Sequence, residues 1–159
     1  MTTKADFSEE EWTRVRRAPF VAGMAISLAD PGGPIEMGKE TVATLKAATN
    51  PPSREQLLAE VALDLQAMAQ SRTNPVGDFK LNKDSPAGQQ VLAELQAAAG
   101  IVAAHATAEE NTAYRAWLVA TAQAAADAAK EGGFMGFHAV RVSEGEQAML
   151  DQLRATLEL

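Results

Sequence analysis

The sequence predicts an all-α protein, about seven helices in a single bundle built from two pseudo-symmetric halves. Three observations predict this class. Alanine, leucine, glutamate and glutamine, all strong helix formers, recur throughout the 159 residues. Aromatic residues make up only 5%, so side chains that favour strands are scarce, and strand-like alternation is confined to residues 137–142. Finally, Ser/Thr-x-x-Glu/Gln capping boxes recur just ahead of apolar stripes at helical spacing.

The helices follow in order. Ser8-Glu9-Glu10-Glu11 is a capping box that opens a short first helix, with Trp12 and Val15 turned inward and Arg14, Arg16 and Arg17 near its C-terminus, on different faces. Pro19 suits the first turn of a second helix over 19–29, which buries Phe20, Met24 and either Ile26 or Leu28 and is ended by Asp30-Pro31-Gly32-Gly33-Pro34. A third helix runs over 35–48, closed by Asn50-Pro51-Pro52. Ser53-Arg54-Glu55-Gln56 is a second box, opening a helix to about residue 71 with Leu57, Leu58, Val61, Leu65 and Met68 as its core stripe. Residues 73–84 hold Asn74-Pro75, Gly77 and Asn82 and read as the linker between the halves, 1–72 and 85–159.

In the second half, Ser85 and Pro86 supply a cap and first residue for a fifth helix, with Val91, Leu95, Ala98, Val102 and His105 on one face. Thr107 to Glu110 is a third box. It opens a sixth helix to about residue 131 through Tyr114, Trp117 and Leu118, and alanines on every face of its later turns place that helix at the centre of the bundle. Ser143 to Glu146 is a fourth box, starting a last helix that carries Met149, Leu150 and Leu153.

Composition excludes several functions. With 21 acidic against 14 basic side chains the chain is not expected to bind nucleic acid, whose affinity comes from phosphate neutralisation. No cysteine removes disulfides, thiolate metal sites and cysteine nucleophiles, and two histidines, His105 and His138, are too few for an imidazole-rich centre. His105 reads as a half-buried residue on an apolar face. There is no Glu-x-x-His pair, nucleophile elbow, phosphate loop or dinucleotide fingerprint, so a non-enzymatic module is expected. No transmembrane segment and no apolar leader are legible, and a bacterial cytoplasmic location is the expectation.

Two segments carry candidate function. Alanine-rich helical sequence followed by a glycine pair and an acidic helix start occurs at Gly32-Gly33, ahead of Glu36 and Glu40, and again at Gly132-Gly133, ahead of Glu144 and Glu146. This pattern, with Asp30 before the first pair, resembles the TerB-like tellurite-resistance proteins over the two ends of the chain. That resemblance implies about seven helices with internal two-fold pseudosymmetry, a role in stress response, and acidic loops linked to divalent metal. The usual Ala-Asp-Gly becomes Asp30-Pro31-Gly32 here, and Lys130-Glu131 replaces the second aspartate. Asp30, Glu36 and Glu40 form the candidate metal site. Their oxygen donors suit Ca2+ or Mg2+, although the simpler account is that Asp30 ends a helix turn and Glu36 and Glu40 complement the dipole of the next helix. Asp127, Glu131, Glu144 and Glu146 form the corresponding second cluster. The other segment, with Phe134, Met135, Phe137 and His138 among glycines, is either a cap over the bundle end or a loop beneath which an apolar ligand or partner helix binds. A protein partner of unknown identity or a homodimer fits either reading.

Overall fold

At Ser8, Thr107 and Ser143 the helix start is set by a side chain that takes up an orphan amide. The structure, a computed structural model, describes residues 1–30, 34–130 and 142–159. After a 3-10 turn at Lys4–Asp6 come α1 (Glu9–Ala29), α2 (Pro34–Thr49), α3 (Gln56–Gln70), α4 (Ala87–His105), α5 (Ala108–Lys130) and α6 (Glu144–Thr156). Ser8 and Glu11 form the expected reciprocal box, with bonds of 2.9 and 3.1 Å, and Thr107 and Glu110 form another, at 3.2 and 3.1 Å. The box at Ser53 does not form. Its hydroxyl accepts from the Glu55 amide 3.2 Å away, a tight local turn that delays α3 to Gln56. Among the described residues there is no strand, so the all-α class stands.

Among the described residues there are six α-helices against an expected seven or so, because Pro19 lies inside α1 instead of opening a helix. A proline there has no amide to donate to the carbonyl four residues back, that of Val15. Tyr114, fully buried on α5, donates its hydroxyl to the Val15 carbonyl at 2.8 Å. The acceptor freed by Pro19 is thereby satisfied, and the helix runs through.

Both α1 and α5 touch all the other helices and form the centre of the bundle. Each buries a run of small residues, Ala18, Ala22, Gly23 and Ala25 on α1 and Ala122, Ala125 and Ala126 on α5, which lets neighbouring backbones come close. At Gly23 any side chain would collide with Thr44 of α2, and at Gly145 it would meet the Ala29 carbonyl oxygen at 2.7 Å, so α2 and α6 both close on α1 through glycines. Trp12, Ile26, Leu58, Leu95, Trp117 and Leu150 belong to one continuous core spanning both halves.

Polar side chains join the elements across the molecule. Arg14 and Arg17, expected on separate faces, converge on buried Glu94 of α4 with contacts of 2.8 to 3.2 Å, while Arg16 lies 3.6 Å from Asp64 of α3. They sit on adjacent turns of a longer helix than expected, against two neighbours that each supply a carboxylate. The segment between α3 and α4 is the predicted long connection. It is anchored to α1, with Arg17 bonded to Asp78 and lying 5.2 Å from the Phe79 ring.

Candidate functional site

Two features stand apart from these pairings. The first is a junction of acids where α1, α2 and α6 meet. Asp30 caps the C-terminus of α1, its amide donating to the Ile26 carbonyl at 3.3 Å. Glu40, only 2% exposed, accepts a hydrogen bond from the Ser27 hydroxyl of α1. Ser143 starts α6 by accepting from the Glu146 amide at 3.2 Å. The Glu146 carboxylate does not complete the box. It is 5% exposed, and its Oε2 has no hydrogen-bond partner among the described residues. Burial, reinforced by the charges of Glu40 and Asp30, pushes this carboxyl up to about 7.

Of the sequence-predicted metal ligands, Asp30 and Glu40 thus share an environment with Glu146, which the sequence places in the other half's cluster. Glu36 stands in the first turn of α2, where the helix dipole favours it. Among the described residues no group of three or more carboxylate or imidazole side chains is gathered so as to hold a metal ion. Phe134, Met135, Phe137 and His138 lie outside the described residues. His105 packs its ring 5.0 Å from Phe7, and its Nε2 is 3.2 Å from a Glu11 carboxylate oxygen, so it links α4 to α1.

The second feature is α2 itself, whose amphipathicity is inverted. Its buried positions are Glu40, Thr44 and Ala48, one row at intervals of four, two of them polar. Three of its large apolar residues face outward, Ile35 at 71% exposed, Val42 at 67% and Leu45 at 38%, while Met37, half exposed in the first turn, stands on the side of the buried row. Elsewhere the exposed large apolar residues among those described are Leu63 on α3 and two chain ends, Met1 and Leu159, so the concentration belongs to this helix. The inward row is held by specific contacts. Gly23 admits Thr44, Ser27 binds Glu40, and the Trp117 indole of α5 donates to the Ala47 carbonyl at 2.9 Å.

Between α2 and the end of α5 the outward residues form an open groove of about 690 Å³, lined by Ile35, Gly38, Lys39, Val42, Ala43 and Lys46 with Ala128 opposite. Sequence reasoning placed α2 but missed this face. An apolar row on a helix signals a core face by default, and what reverses it here is a set of partners distant in the chain. The one legible signal was the polar row Glu40 and Thr44, which has to lie opposite or be paired.

The chain matches no family model, no curated protein and no solved structure. Among the described residues no helix is long and apolar enough to cross a membrane.

Proposed function

We propose that the chain is a non-enzymatic helical interaction module that receives a partner helix along the outward face of α2. The inversion of α2 carries this reading. Contiguous exposed apolar surface on one helix marks an interaction site, and a helix laid in a shallow apolar groove is a recurrent mode of recognition. The volume would suit a small apolar ligand, but such ligands are normally enclosed over most of their surface, and walls as exposed as Ile35 and Val42 would leave one largely in water. The central positions of α1 and α5, each followed by a glycine pair and another helix, support duplication of an ancestral half within the same reading.

The absence of cysteine provides a clean test. A photo-cross-linker attached to Val42→Cys is expected to capture one partner segment in host lysate. A synthetic peptide of that segment is then expected to bind the unmodified chain and to lose binding to Val42→Glu. Equal labelling from a control handle at Leu63→Cys, or a peptide indifferent to Val42→Glu, overturns the proposal.

A second reading is favoured by the partnerless Oε2 of Glu146 and by the TerB-like motifs: a hydrated hard cation at the α1–α2–α6 junction. Mg2+ keeps several waters and takes one or two carboxylates, so Glu40 and Glu146 suffice in number. Titration calorimetry of chelator-treated protein with Mg2+ and Ca2+ is expected to show heat that Glu146→Gln removes. No stoichiometric heat with either ion overturns it.

A further inference from the structure

The chemistry of the groove specifies its occupant more closely than apolar surface alone. The two charged residues that line it, Lys39 and Lys46, are both basic, on a chain whose formal charge is -7. Both are exposed, and among the described residues neither forms an ion pair. Elsewhere the cations of α1 are spent on internal carboxylates, Arg14 and Arg17 on Glu94 and Arg16 on Asp64.

The spacing matters as much as the sign. Ile35 and Val42 are separated by seven residues, and so are Lys39 and Lys46. An apolar row flanked by charges at the same two-turn repeat is the arrangement by which one helix sets the register and charge of another lying along it. Gly38 sits between them. A Cβ built there meets nothing within 4 Å, so no neighbour within the described chain requires a glycine, yet glycine inside a helix is less favourable than alanine. Its bare backbone suits the close approach of another helix.

Resting on the docking reading above, we infer that the occupant of this groove is an acidic amphipathic helix of another protein, its apolar row seated on Ile35 and Val42 and its carboxylates facing Lys39 and Lys46. A second copy of this chain fits less well, because two such faces would bring lysine pairs together. The net negative charge of the chain disfavours an acidic helix in general, and the lysine pair beside the apolar row offsets that at the groove.

The test uses two designed peptides of about three heptads with the same leucine row, one flanked by glutamates and the other by lysines. Binding to the intact chain is read by fluorescence anisotropy at low and high salt. The glutamate peptide is expected to bind about fivefold tighter or better at low salt, with the gap narrowing as salt screens it, and the double variant Lys39→Glu with Lys46→Glu is expected to reverse the preference. Equal affinity for both peptides, with binding still lost in Val42→Glu, overturns the acidic partner and leaves the docking face standing. Binding of neither peptide, or binding that ignores Val42→Glu, overturns both. Sedimentation that shows a dimer dissolved by Val42→Glu overturns the inference in favour of a second copy.

Discussion

Glu146 is held at the start of α6 with a buried carboxylate oxygen that no described group binds, beside two other acids. Its ordinary value of 4.5 in the unfolded chain rises to about 7 on folding, so the folded state holds the proton more tightly. Stability from this group is therefore complete below pH 4.5, declines as pH rises from there to about 7, and its loss is complete above that. In chelator, Glu146→Gln is expected to stabilise the protein on the order of 2 kcal/mol at pH 8 and to have little effect at pH 4, as read by urea denaturation. A uniform effect across pH would show that the carboxyl does not titrate in this range. The residue was visible in the sequence as the fourth position of a capping box, but its conflict with Glu40 was not, because the two are brought together by packing on α1.

At the scale of the element, α1 shows how one distant group overrides a local rule. A buried proline normally kinks or ends a helix, at about 3 kcal/mol or more. Here the hydroxyl of Tyr114, on α5, satisfies the carbonyl that Pro19 leaves free. Tyr114→Phe keeps the ring and orphans that carbonyl, and a loss of about 1–3 kcal/mol is expected in thermal or denaturant unfolding. A change within a few tenths would mean that the carbonyl finds water instead. The division into two helices at Pro19 was a sound local expectation, since nothing within four residues of it announces a donor 99 positions from Val15. The Ser8 and Thr107 boxes, in contrast, were fully legible, because cap and partner lie three residues apart.

Across the whole molecule, opposing titrations set the stability curve. Burial alone would push the Glu94 carboxyl up, but hydrogen bonds from Arg14 and Arg17 hold it below its ordinary 4.5. Burial of Asp64 is likewise outweighed, by the Trp12 indole at 2.7 Å and by Lys4, and burial of Glu110 by its bonds from Thr2. These groups lend stability above their unfolded values and lose it as pH falls through the folded ones. With Glu146 acting in the other direction, maximum stability is expected at mildly acidic pH, moving toward neutrality in Glu146→Gln. Denaturation midpoints from pH 3 to pH 9 check this, and a maximum that does not move overturns the account. Caps, breakers and apolar periodicity act over three or four residues, and they suffice to read the all-α class, the position of most helices and the long connection before α4 from the residues alone. Tertiary structure alone decided that α1 crosses Pro19, that Arg14 and Arg17 share Glu94, and that α2 turns its polar row inward and its apolar row to solvent. Each of these depends on groups far apart in the chain, whose proximity is a property of packing and leaves no local mark on the residues themselves.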